Sequence, residues 1–244
     1  MRKTLCVDFG NSRCKAAIVE NEMIVADIIF SKNIKSELSE FMSLHHPASA
    51  ILSSVIEHDK EIEEILSGIP SFHKLSHASK LPFTTPVGKP STIGADRLAL
   101  AAAAVHYYPG KHNLIIMLGS CITYNFINQR SEFLGGAISP GMAMRFRSMH
   151  EHTAKLPLVK ETNEFPFLGY DTETNLQSGV LYGIICELDG MISKYAERYT
   201  NFNVVLTGGN SAYFAGELKN RIFADHNFLF KGLYAIAEHN YCFS

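Results

Sequence analysis

The sequence predicts an α/β fold built as a duplication, and three observations predict it. Leu5-Cys6-Val7-Asp8-Phe9 runs into Gly10-Asn11-Ser12 and returns through Lys15 to Val19. Much later, Leu114-Ile115-Ile116-Met117-Leu118 runs into Gly119-Ser120 and returns through Cys121 to Ile127. Each is an apolar strand, a glycine–hydroxyl turn and a second strand. Glycine lets backbone approach a bulky anion, and successive amide hydrogens beside a hydroxyl can cradle phosphate. The third observation is a helix opened by Gly94-Ala95-Asp96-Arg97 and apolar on nearly every side, with Ala99 and Ala101 to Ala104. Such a helix must be buried, in a core or against a second chain. Together they predict two related halves, residues 1–112 and 113–244, that grip a nucleotide's phosphates in a cleft between them.

The elements follow in order. Residues 4–9 and 14–20 read as strands around the first turn. Asn21-Glu22 makes a tight turn into a third strand, 23–30. Three consecutive antiparallel strands followed by helices are the usual start of an RNase H-like domain. A helix is predicted over 34–44, where Ile34, Leu38, Phe41 and Met42 recur at helical spacing. Residues 49–55 read as a short strand and 58–66 as a helix ending at Gly68. Three prolines make 82–92 a loop, because proline removes a donor and restricts its neighbour. The alanine-rich helix runs to about Tyr108 and stops at Pro109-Gly110. The second hairpin occupies 114–128, with a third strand over 132–139. Helices are predicted over 141–154, 173–199, 211–220 and 232–239, and a strand over 203–206.

The whole chain excludes several classes. Its 244 residues can bury one large core or two domains of about 100–150 residues. Lys+Arg number 22 against 24 Asp+Glu, so no global charge favours nucleic acid or an anionic membrane. No run of about 18 apolar residues exists, so no membrane span is expected. Translation opens directly on a strand, so no leader peptide is expected. Five cysteines, Cys6, Cys14, Cys121, Cys186 and Cys242, form no CxxC pair. Reduced, buried thiols in a cytoplasmic protein fit that spacing best.

Four segments could carry chemistry, and each has a plainer reading. Asp8 ends a strand beside a phosphate-sized turn, a position that suits Mg²⁺ or its water shell; it could equally cap its own turn. Lys15 could reach the phosphates once the hairpin closes. Asp96 and Arg97 put an acid and a base at a helix start, where the dipole favours an anion; Asp96 could be a simple cap. Gly135-Gly136-Ala137-Ile138-Ser139-Pro140-Gly141 is either backbone lying against a ligand or a tight strand-to-helix connection. Thr207-Gly208-Gly209-Asn210 could pack adenine or ribose, or be a loop. The eleven histidines show no metal-ligand spacing.

Taken in order, these segments resemble the type III pantothenate kinase family, within the actin, sugar-kinase and heat-shock-chaperone superfamily. The likeness is carried by Asp8-Phe9-Gly10-Asn11-Ser12 with Lys15, Gly94-Ala95-Asp96-Arg97, Gly119-Ser120-Cys121-Ile122-Thr123 and Gly135 to Gly141. It continues in Thr153 to Pro157, Leu168 to Thr172, Thr207 to Asn210 and Leu229 to Leu233. The resemblance implies two RNase H-like (actin-like ATPase) domains. It implies ATP-dependent phosphorylation of pantothenate to 4'-phosphopantothenate, the first step of coenzyme A biosynthesis. By the resemblance Asp8, Gly10, Asn11, Ser12, Lys15 and Ser120 bind ATP, with Asp8 near Mg²⁺. Gly94, Ala95, Asp96, Arg97 and Thr172 bind pantothenate, and Asp96 is the catalytic base. A homodimer is implied, as is a monovalent cation, K⁺ or NH₄⁺.

Two positions depart from the family pattern. Met117 stands where the family has a cation-ligating aspartate, and a thioether cannot replace a hard oxygen ligand. Val87 stands where the family tends to have a tyrosine near pantothenate. A catalytically weakened, nucleotide-binding regulator would fit those departures. A kinase acting on another acceptor is the third reading; the retained Gly94 to Arg97 and Thr172 count against it.

Overall fold

The computed structural model describes residues 2–162 and 165–241. It contains two five-stranded sheets. In the first, β1 (Lys3–Phe9), β2 (Cys14–Glu20), β3 (Met23–Ile29), β4 (Ser49–Ser54) and β5 (Ser71–Lys74) stand in the order β3-β2-β1-β4-β5. In the second, β6 (His112–Leu118), β7 (Cys121–Ile127), β8 (Phe133–Pro140), β9 (Phe202–Thr207) and β10 (Phe223–Ala224) stand in the order β10-β9-β6-β7-β8. Read from the other edge, that order repeats the first sheet. The first strand of each set also pairs in parallel with the fourth, and the fourth with the fifth. The duplication expected from two echoing hairpins is therefore a duplicated topology.

The chain forms two compact units. One comprises the described parts of Met1–Gly110, Ile127–Gly135 and Asn227–Ser244; the other comprises Lys111–Phe126 and the described parts of Gly136–His226. The expected division at 112/113 puts the last helix with the second half in sequence, whereas its packing is in the first unit.

In the first unit, β1 is buried from Thr4 to Phe9. Its run Leu5-Cys6-Val7 is continuous rather than alternating because both faces of the sheet are covered. Helices α1 (Ile34–His45) and α2 (Lys60–Ser67) bring Leu38, Phe41, Ile62 and Leu66 against Leu5, Val7, Phe9 and Ile18. On these strands α7 (Phe228–Tyr241) packs against β1, β2 and β4. Between β2 and β3, Asn21 and Glu22 both take positive φ, 51° and 64°, the backbone of a hairpin turn that matches strand twist.

Helix α3 (Ala95–Tyr107) is buried without break from Leu98 to Ala104. Its principal neighbour is α7, and the two backbones nearly touch. A Cβ on Gly232 would lie 1.8 Å from the Ala99 carbonyl oxygen. The apolar helix is thus a core helix of its own unit.

In the second unit, α4 (Met142–Glu151) and the 25-residue α5 (Thr172–Ala196) accompany the sheet, with the short α6 (Ser211–Ala215). Asp171 caps α5 reciprocally with Thr174, the capping-box arrangement. Two expectations need correction. The helix over 211–220 stops at Ala215, where Gly216 forms its cap, and α7 starts at Phe228 rather than 232. The short strands β5 and β10 carry no alternation long enough to read. Among the described cysteines, Cys6 is buried, Cys14 and Cys121 are half-buried and Cys186 is exposed. The uniform burial expected of the thiols does not hold, and Cys242 lies outside the described residues. Among the described residues no helix is long and apolar enough to cross a membrane.

Candidate active site

The first hairpin sets a carboxylate opposite a lysine. Antiparallel register pairs Asp8 with Lys15 across β1 and β2, and Gly10 N–H closes the turn on the Arg13 carbonyl at 3.1 Å. Lys15 Nζ stands 3.8 Å from Asp8 Oδ2 and 4.9 Å from the centre of the Phe230 ring on α7. Asp8 itself is buried, and Ser53 Oγ at the end of β4 donates to its Oδ1 at 3.3 Å. Asn11 and Ser12 form the exposed outer edge of the turn.

Burial dominates the chemistry of Asp8. It pushes the carboxyl up to about 6; the Lys15 charge opposes that shift, and the Asp96 charge adds to it. The Asp96 carboxylate is thus one of the charges that raise Asp8 in this unit. Asp96 sits in the first turn of α3, whose N-cap is Gly94 with no side-chain cap bond. Its Oδ1 accepts from the Arg97 backbone N–H at 2.9 Å. Asp96 is thus not the cap, and a Cβ on Gly94 would meet its Oδ1 at 2.5 Å. Burial raises the Asp96 carboxyl too, against the lowering pull of Arg97. The Arg97 guanidinium lies 5.5 Å from the Phe133 ring centre.

A divalent cation fits here. Two desolvated carboxylates of one unit, both pushed toward their protonated forms by burial, are the condition that a bound 2+ charge relieves. Among the described residues no cluster of three or more His, Cys, Asp or Glu forms a metal site. A cation in this unit would therefore rest on few protein ligands, as Mg²⁺ with phosphate does.

The second hairpin is different in make-up. Gly119 N–H bonds Cys121 O at 3.0 Å, and Gly141 N–H bonds Ser120 O at 3.1 Å. Two glycines allow backbone to crowd this turn. A Cβ on Gly141 would lie 2.2 Å from Gly119 O, and one on Gly208, at φ 96°, would lie 2.4 Å from Leu118 O. Met117 is half-buried, and its parallel partner in register is Thr207. The Thr207 hydroxyl is buried with no hydrogen-bond partner among the described residues. One thioether and one hydroxyl make a poor seat for K⁺ or NH₄⁺, which need several oxygen ligands, so these residues do not fit that cation.

Thr172 is the exposed first residue of α5. Its neighbours Tyr170, Asp171, Glu173 and Thr174 line a cavity of about 670 Å³ with Phe165 and Tyr182. Val87 lies exposed in the loop before α3. Structure thus gathers Asp8, Gly10, Lys15, Asp96 and Arg97 in the first unit, while Met117, Ser120 and Thr172 belong to the second. Sequence reasoning missed Ser53; it took Phe230 only as part of the Leu229 to Leu233 segment and Thr207 only as part of a turn for adenine or ribose, not beside Lys15 and Met117. Only the Ser53-Ser54 pair closing an apolar strand offered a readable signal.

The topology matches solved structures. A conserved Baf-family protein from Campylobacter jejuni gives a TM-score of 0.62 at 20% identity, with 98% of this chain and 99% of that chain covered. Component A of (R)-2-hydroxyglutaryl-CoA dehydratase from Acidaminococcus fermentans gives 0.54 at 14%, covering 99% and 98%. Glucokinase from an Antarctic psychrotroph gives 0.53 at 10%, covering 98% and 99%. These likenesses define the class: an α/β chain of the duplicated, actin-like sugar-kinase fold. Sequence comparison takes the assignment further. Residues 4–194 match the family model for type III pantothenate kinase. The Christiangramia forsetii type III pantothenate kinase is 41% identical over 238 residues, 97% of this chain and 98% of that protein. The Flavobacterium johnsoniae type III pantothenate kinase is 36% identical over 231 residues, 94% and 95%. The chain belongs to the type III pantothenate kinase family.

Proposed function

We propose that this chain phosphorylates pantothenate with ATP, giving 4'-phosphopantothenate, the first step of coenzyme A biosynthesis. The observation that carries the reading is the meeting of Asp8, Lys15 and Asp96 in one unit of a family member. Phosphoryl transfer passes through a loose transition state, so the protein's work is positioning and charge stabilisation. The turn Gly10-Asn11-Ser12 and the Lys15 ammonium hold phosphate oxygens, and Ser120 adds a hydroxyl. Phe230 and Asp8 fix the ammonium from two sides. Asp96 orients the acceptor hydroxyl and takes its proton at a carboxylate oxygen. Its raised proton affinity makes it a better base than an exposed aspartate. Gly94 and Ala95 bring backbone to the acceptor, and Arg97 presents forked donors that suit the pantothenate carboxylate. Thr172 contributes a further hydroxyl to that substrate.

Asp8 is the residue that would hold Mg²⁺, whose charge would offset the phosphate oxygens. No step is assigned to a monovalent cation at Met117. A second copy of this chain is the proposed partner. The exposed Phe167, Leu168 and Tyr170 just before Thr172 offer it an apolar face. The proposed location is the cytoplasm.

The test is ADP release coupled to an optical readout, with pantothenate and with other small alcohols as acceptors. Turnover with pantothenate and release of a phosphorylated acid is the expected result. Measurable ATP binding without turnover on pantothenate would overturn the reading, as would turnover only on another acceptor.

A further inference from the structure

Three side chains of the second unit, none in the machinery above, converge on one carboxylate. Glu187 of α5 accepts at Oε1 from the Tyr124 hydroxyl of β7 at 2.9 Å and from Ser139 Oγ of β8 at 2.5 Å. Its Oε2 is paired with the Arg145 guanidinium of α4. Arg145 Nε in turn donates to the Pro140 carbonyl at 2.9 Å. Burial alone would raise the Glu187 carboxyl, but the bonds from Ser139, Arg145 and Tyr124 outweigh it and hold it below the usual range. Burial and the same carboxylate push the Tyr124 phenol up, so the phenol remains the donor.

The network fixes Ser139 and Pro140, and the next residue is Gly141. That glycine is the N-cap of α4, donates to Ser120 O, and could not carry a Cβ without striking the Gly119 and Ser120 carbonyls. The backbone that the network clamps is therefore the backbone against which the Gly119-Ser120 turn rests. We infer that Arg145 and Glu187 are positioning residues that hold this turn in the geometry it needs for ATP phosphate. The inference rests on the reading of Ser120 as an ATP contact. An ion pair with roughly three-quarters of each side chain out of water adds little net stability compared with an apolar pair. What it adds is direction: the guanidinium fork ties α5 and the end of β8 with separate nitrogens.

That distinction supplies the test. Arg145→Lys, Glu187→Gln and the double variant Arg145→Met/Glu187→Met are compared for melting temperature and for KM and kcat against each substrate. Each single variant should lose roughly ten- to a hundredfold in kcat/KM for ATP, with KM for pantothenate unchanged. The double variant should recover most of the melting temperature and none of the ATP parameter. Recovery of both together would reduce the network to a structural one and overturn the inference, as would an ATP parameter unchanged in every variant. Ser120→Ala is the reference. An ATP parameter altered by Ser120→Ala but not by the network variants overturns the positioning role alone. One that Ser120→Ala leaves unaltered overturns the reading of the turn, and the inference with it.

Discussion

Gly232→Ala adds one methyl group at the point where α7 meets α3. The added Cβ would stand 1.8 Å from Ala99 O and 2.5 Å from Ala99 C, both backbone atoms that no rotamer change can move. Real Cβ atoms do not come within 3.0 Å of another heavy atom, so the helices must part by at least 3.0 − 1.8 = 1.2 Å along that line. Overpacking of this kind costs about 1–3 kcal/mol. At roughly 2–4 °C per kcal/mol for a chain of this size, the melting temperature should fall by several degrees. The functional cost is larger. Ala99 is one helical turn from Asp96, so displacing α3 displaces the proposed base. A misplacement of about 1 Å costs roughly a hundredfold in rate. Steady-state ADP release and thermal unfolding read the two effects. Gly190→Ala in α5 is the control: its Cβ meets nothing within 4 Å, so it should stabilise by about 0.5–1 kcal/mol and leave the rate alone. A Gly232→Ala protein with parental melting temperature and kcat would refute the close packing and the siting of Asp96 derived from it.

Three further outcomes are expected. Asp96→Asn should leave ATP affinity nearly unchanged and lower kcat by about 10²–10⁴-fold, measured by the same assay with ATP binding followed by calorimetry; an unchanged kcat removes Asp96 from the base role. Asp8, pushed up to about 6, holds a proton in the folded chain that the unfolded chain releases near pH 4, so its contribution to stability is lost as pH rises through 6. Without nucleotide or metal, Asp8→Asn should therefore melt higher than the parent at pH 7.5 and level with it at pH 4; a constant difference across that range contradicts the shift. Met117→Asp should introduce a stabilisation by KCl over LiCl, since the carboxylate would join the unpartnered Thr207 hydroxyl as an oxygen ligand. Identical melting in both salts would show that the neighbouring donors cannot complete such a site.

The fold was legible where pattern and burial agree. The hairpins were readable because a glycine turn between apolar strands is a local signal, and α3 because an all-apolar helix must be buried, although its pattern left a core and a second chain equally open. The short β5 and β10 were not readable, since strands of four and two residues leave no periodicity. Asp8, Lys15 and Asp96 stood out as polar groups at the ends of apolar elements. Ser53, Phe230 and Glu187 did not, because their roles arise from partners distant in sequence: 45 residues separate Ser53 from Asp8, and 63 separate Glu187 from Tyr124. Met117 was visible only against a family pattern, and the structure adds the unpartnered hydroxyl beside it.

Helix α7 has a consequence for biosynthesis. It packs against β1, β2 and β4, strands that leave the ribosome long before it does. Until residues 228–241 emerge, the apolar surface of β1, β2 and β4 that α7 covers stays open to water. The nascent chain must meanwhile stay unassembled or be shielded, so expression at high temperature should depend on chaperone supply more steeply than the finished enzyme's own heat resistance would suggest.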